Sequence, residues 1–113
     1  MNEIKRITRP LLDVLEIFLE SYDNGGDEPY GRKIMRTLKR SGPTVYGILD
    51  RLEDAGWVAG RWEEEHPEPG TPRRRFYRLT VDGAAGARRI LAERRPSGEW
   101  QANPPDLATG GTT

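Results

Sequence analysis

The sequence predicts a mainly α-helical domain with one small β-hairpin, in the order α-α-α-β-β-α. Three observations predict it. Two well-patterned amphipathic helices and a third with a capped start fill the first half. The composition turns strand-like after Gly56, and a further capped, Ala-rich stretch follows Thr80. With 113 residues the chain suits one domain of modest core.

The first helix starts at Thr8, a good N-cap, with Pro10 in the first turn, where a missing N–H costs nothing. Leu11, Leu12, Val14, Leu15, Phe18, Leu19 and Tyr22 then recur at helical spacing until Asn24-Gly25-Gly26 stops the run. A second helix is expected from about Pro29 to Leu38, with Tyr30, Ile34, Met35 and Leu38 inward and Arg32, Lys33, Arg36 and Lys39 outward. Ser41-Gly42-Pro43-Thr44 reads as a tight turn whose Ser41 hydroxyl caps a third helix, residues 43–55, with Val45, Ile48, Leu49 and Leu52 buried. Gly56 suits its left-handed stop. Residues 57–62 and 73–79 are two strands joined by a Glu-, Pro- and Gly-rich loop, with Phe76 and Leu79 assigned to the inner face and Tyr77 to the outer. Thr80 caps the last helix, from Val81 to about Arg95, whose thin stripe is Ala84, Ala85, Ala87, Ile90 and Leu91, weakened by Gly83 and Gly86. Residues 1–9 are thus an N-terminal arm, 10–95 the folded domain and 96–113 a flexible tail in which Trp100 is the one residue able to dock. Helix, tight turn, capped helix and then a hairpin is a winged helix-turn-helix.

The composition excludes several function classes. There is no cysteine and the single histidine, His66, lies in the Glu/Pro loop, so disulfides and a zinc site are not expected, and no cofactor is implied. No apolar run is long enough for a membrane span, and Asp13 and Glu16 break any signal-like stretch, so a cytoplasmic location is expected. No nucleophile sits beside a base and no glycine-rich phosphate loop occurs, so the protein is not expected to be an enzyme. Net charge is zero, but its distribution is blocky. Residues 10–28 carry Asp13, Glu16, Glu20, Asp23, Asp27 and Glu28 without a base; Arg32, Lys33, Arg36, Lys39 and Arg40 follow; Glu63, Glu64, Glu65 and Glu68 precede Arg73, Arg74, Arg75 and Arg78. One face can therefore be cationic while another is acidic.

Ser41-Gly42-Pro43-Thr44-Val45-Tyr46, running into Leu49-Asp50-Arg51-Leu52-Glu53 and Gly56, resembles the recognition segment of PadR-like transcriptional regulators. In that family a Ser-Pro-Gly-Thr-Leu-Tyr run leads into Leu-x-Arg-Leu-Glu and a Gly. Gly70-Thr71-Pro72-Arg73-Arg74-Arg75-Phe76-Tyr77-Arg78-Leu79-Thr80 is similar to the family's wing strand, and Tyr30-Gly31 sits where the family has a Gly-Tyr pair. The resemblance implies a winged helix, a homodimer and binding of double-stranded DNA near a promoter, usually as a repressor.

The residues suit that reading. With the apolar stripe inward, Thr44, Tyr46, Gly47, Asp50 and Arg51 of the third helix turn outward, toward a major groove. Ser41 and Thr44 offer hydroxyls at a helix N-terminus, besides capping it. Tyr46 either reaches a phosphate or packs as a half-buried ring. Gly47 lets the helix approach closely. Arg51 pairs with Asp50 or Asp54, or reaches DNA. Arg32 lies where the leading helix crosses the backbone. Arg73, Arg74 and Arg75 either contact phosphate or the minor groove, or neutralise the glutamates of the hairpin. Leu12, Leu15 and Leu19 beside Ile90 and Leu91 exceed what one small core needs and form a candidate dimer interface. Two other classes fit the same fold: a winged-helix protein–protein interaction module, favoured by neutral charge and Asp50, and a DNA-architectural or recombination accessory factor.

Overall fold

The computed structural model describes residues 4–64, 70 and 72–96. Four helices and a two-stranded antiparallel sheet follow one another as α1 (Arg9–Asn24), α2 (Gly31–Leu38), α3 (Gly42–Asp54), β1 (Val58–Trp62), β2 (Arg75–Leu79) and α4 (Val81–Arg94). The order is the one the sequence predicts, and the architecture is a winged helix-turn-helix. The expectations for the tail from residue 97 on, Trp100 included, and those for Glu65, His66 and Glu68 lie outside the described residues.

The caps act as the sequence requires. Thr8 accepts from the Leu11 N–H at 3.2 Å, Ser41 from the Thr44 N–H at 3.4 Å and Thr80 from the Gly83 N–H at 3.0 Å. Gly56 ends α3 at φ +80°. The core draws on every element, with Phe18 of α1, Ile34 of α2, Leu49 and Leu52 of α3, Trp57, and Leu91 of α4 all essentially inaccessible. Arg95, only 13% exposed, ties the end of α4 to α1 by bonding Asp13 at 2.9 Å and Glu16.

Five expectations need correction. Pro29 and Tyr30 are not helical: Tyr30 is extended (φ −134°, ψ 161°), forms a bridge to Phe76, and the Pro29 carbonyl accepts from the Tyr77 N–H at 2.9 Å. A proline in the first turn is a helix-start signal, but here tertiary pairing with the hairpin takes these residues first. In β2 the inner residues are Tyr77, 4% exposed, and Leu79; Phe76 is on the opposite side, because side chains alternate with period two and Phe76 and Leu79 cannot share a face. Ala85 is exposed, and its expected place on the buried stripe belongs to Gly83 and Gly86. Those glycines are more than weak points: a Cβ at 83 would overlap the Trp57 carbonyl, and one at 86 would come within 2.5 Å of the Trp57 indole.

The last correction concerns the expected dimer interface. Leu12, Leu15, Leu19, Ile90 and Leu91 are all at most 9% exposed within the single chain, so they form no free apolar surface. The N-terminal arm and Trp57 supply the extra packing that the sequence reading lacked: Ile4 is 7% exposed and belongs to the same cluster.

Candidate nucleic-acid interface

α3 presents the side that its apolar stripe dictates. Val45, Ile48, Leu49 and Leu52 are buried, which leaves Thr44, Tyr46, Gly47 and Asp50 exposed. Ser41 is exposed, and its hydroxyl also bonds the Thr44 hydroxyl at 3.1 Å. Arg51 turns to the backbone carbonyl of Arg6 in the N-terminal arm, a partner not foreseen beside Asp50 and Asp54.

Tyr46 leans from α3 onto the start of α2. A Cβ at Gly31 would lie 2.5 Å from the Tyr46 ring carbon Cζ, so the bare backbone of Gly31 is what lets the ring lie there. The ring remains 44% exposed. It forms one wall of a cleft of about 650 Å³ whose other walls are the start of α2 and the wing. Arg32, Tyr46, Arg73, Arg74 and Arg75, all singled out from sequence, meet in this cleft; Ser41, Thr44, Gly47 and Arg51 do not line it. Tyr30, Arg36, Trp62 and Tyr77 line it too, and sequence reasoning missed them as site residues. Trp62 is 58% exposed, which is unusual for a residue type that is mostly buried, but nothing in its local sequence announces that exposure.

The wing's two faces differ chemically. Register pairs Trp62 with Arg75, Gly60 with Tyr77 and Val58 with Leu79, so these share the face turned to α3 and the core. Arg75 lies flat across it: its guanidinium donates to Glu53 of α3 at 2.7 Å and stands 5.2 Å from the Trp62 ring centroid and 5.7 Å from that of Tyr77. Gly60 makes the room, because a Cβ there would come within 2.7 Å of the guanidinium. The Glu53 hydrogen bond outweighs desolvation and raises the Arg75 pKa. Burial pushes the Tyr77 hydroxyl pKa up, against the opposing pull of Arg75.

The other face stacks cations and rings in turn. Arg74 sits 5.1 Å over the Tyr30 ring, Tyr30 meets Phe76 edge-on at 5.5 Å, and Arg61 lies 4.9 Å over Phe76. Glu28 bonds Arg61 at 2.8 Å and approaches Arg78 at 4.0 Å. Glu63 accepts from the Arg74 N–H at 3.2 Å, and its carboxylate lies 4.0 Å from the Arg74 guanidinium. Of the hairpin glutamates expected to neutralise the wing, Glu63 does so; Glu53 and Glu28, from outside the hairpin, contribute as well. Among the described residues no carboxylate lies within ion-pair distance of Arg32, Arg36 or Arg73.

No described helix is long and apolar enough to cross a membrane. The model of the transcriptional regulator PadR-like family matches residues 25–89, more than half of the chain. No curated protein matches. Among solved structures, a PadR-like transcription factor from Bacteroides fragilis is 20% identical over 79% of this chain and 82% of its own, with a TM-score of 0.60. The protein smu.1704 from Streptococcus mutans is 26% identical over 83% of this chain and 86% of its own, with a TM-score of 0.57. MepR of S. aureus, solved as a complex with DNA, is 21% identical over 80% of this chain and 62% of its own, with a TM-score of 0.60.

Proposed function

Because this chain belongs to the PadR-like family of transcriptional regulators, we propose that it binds double-stranded DNA in a sequence-dependent way, and that it acts as a repressor by occupying a promoter. The observation that carries the reading is the shared cleft: Tyr46 from the recognition helix and Arg73, Arg74 and Arg75 from the wing face the same space. In this reading α3 enters the major groove, where Thr44, Tyr46, Gly47 and Asp50 are its outward residues, with Ser41 at its entry and Arg51 steadying the arm. The wing follows the flanking backbone or minor groove, and Arg32 approaches phosphate from α2. DNA-bound MepR has the same fold, which supports this docking mode.

A homodimer is part of the proposal. A two-fold pair would set two recognition helices about 34 Å apart and so read a palindromic site. Its interface must use surface other than the five leucine and isoleucine side chains now accounted for in the core.

Selection of bound sites from random duplexes, followed by fluorescence anisotropy on the recovered sequence, tests the reading. Enrichment of a palindrome is expected; no binding to any duplex at low salt would remove DNA as the partner. One observation favours the rival interaction module: Glu28, Glu53 and Glu63 already neutralise Arg61, Arg75 and Arg74. That outcome would appear as absence of DNA binding in the same assay.

A further inference from the structure

The cations around the cleft are not equivalent. Arg75 is only 27% exposed, has a carboxylate at 2.7 Å, and lies near the Trp62 and Tyr77 rings over the bare backbone of Gly60. One terminal nitrogen of the fork is therefore committed to Glu53, and the ring neighbours restrict how the rest can turn toward a phosphate. Arg73, Arg32 and Arg36 line the same cleft, are exposed, and among the described residues face no carboxylate within ion-pair distance; Arg36 donates to the Tyr30 hydroxyl at 3.5 Å.

We infer that Arg75 is a positioning residue, which pins the wing to the recognition helix through Glu53, while Arg32, Arg36 and Arg73 make the phosphate contacts. The inference rests on the DNA-binding reading, gives Arg75 a different role within it, and adds Arg36 to the phosphate contacts. Glu53 sits at the last turn of α3 and Arg75 at the first residue of β2, so their bond fixes the angle between the two parts that must meet one duplex. The pair is partly solvated, so its worth to global stability is small. Its worth to binding is geometric, because a wing docked at the wrong angle cannot follow the backbone that α3 selects.

The decisive experiment is the sign of the Glu53→Gln effect on affinity for a duplex that wild type binds. Removing a negative charge beside DNA strengthens binding on electrostatic grounds alone, and it would also release Arg75 if Arg75 were a phosphate ligand. The pin predicts the opposite: several-fold weaker binding. Arg75→Lys keeps the charge but loses the fork, and is expected to bind several-fold more weakly. The Glu53→Gln/Arg75→Lys double variant is expected to bind no more weakly than the weaker single one. Gly60→Ala changes no charge and displaces only the flexible end of Arg75, so it provides a variant that keeps its fold, checked by its melting temperature. It too is expected to weaken binding. Wild-type or tighter binding by Glu53→Gln or by Gly60→Ala overturns the pin. Salt titration tests the other half: Arg32→Gln, Arg36→Gln and Arg73→Gln are each expected to lower the slope of log affinity against log salt by about 0.9. An unchanged slope in all three overturns the assignment of phosphate contacts. If wild type itself binds no duplex, the DNA reading fails, a result distinct from any of these.

Discussion

Gly83→Ala is the substitution whose outcome most directly tests how this domain is packed. In an exposed helix interior, replacing Gly by Ala stabilises by about 1 kcal/mol, since alanine loses less backbone entropy. Gly83 is the third residue of α4 and is buried. Its Cβ would lie 2.7 Å from the Trp57 carbonyl carbon and closer still to the oxygen, so main chain rather than a flexible side chain must give way. That carbonyl also accepts from the Thr80 N–H at 2.9 Å and the Thr80 hydroxyl at 3.3 Å, so a shift disturbs the start of the helix as well. Overpacking of this kind costs about 1–3 kcal/mol, and each impaired bond about 1 kcal/mol. Against the propensity gain the net is a destabilisation of about 2–4 kcal/mol, a fall in melting temperature of roughly 10–20 °C for a domain near this size. Thermal and urea unfolding followed by circular dichroism read it directly. A variant that melts at or above wild type would refute the reasoning, because it would mean that α4 does not press on the backbone of Trp57.

Gly47→Ala carries the same chemistry with the opposite sign: nothing lies within 4 Å of the added carbon, so stability is expected to rise by about 1 kcal/mol, while affinity for DNA, measured by anisotropy, falls if α3 lies close in the groove. Thr80→Ala removes the cap on Gly83 and the hydroxyl bond to the Gly56 carbonyl at 2.8 Å, and is expected to cost about 1–2 kcal/mol in urea unfolding, most of it restored by Ser. Tyr77 has a folded pKa raised by burial, so the folded state holds its proton more tightly; that contribution is complete below the unfolded tyrosine value of about 10 and is lost as pH rises through the folded one. Wild type is therefore expected to lose stability above about pH 10 more steeply than Tyr77→Phe, as melts from pH 8 to 11 would show; parallel curves would dispose of the idea.

The helices were legible because each carries its own local grammar. Thr8, Ser41 and Thr80 cap where expected, and the buried stripe of α3 is the one its spacing dictates. What escaped is whatever depends on partners distant in sequence. Pro29 and Tyr30 look helical alone, yet Tyr30 is the extended N-cap of α2 and both pair with β2, a partner far away in sequence. The leucines of α1 looked excessive because nothing in their own pattern announces that Ile4 and Trp57 join the same core. Glycines 83 and 86 read as weak helix formers because propensity ignores an indole packed against them. At the site, Tyr46 and the wing arginines were readable as exposed functional types, whereas the Glu53–Arg75 bond joins residues far apart in the chain and left no local trace.

The strand-like stretch at Tyr30 has a mechanical consequence. The peptide that pairs with β2 through the Pro29 carbonyl is continuous with the first turn of α2, where Tyr30 also receives the Ile34 N–H at 3.0 Å. Hairpin and helical scaffold therefore share one stretch of main chain at the base of the wing, so a swing of the hairpin is passed on to α2, while its angle to α3 rests on the Glu53–Arg75 bond. If the proposed docking holds, part of the fitting falls on the nucleic acid, and sequences whose base steps bend easily would be favoured even where no side chain touches a base.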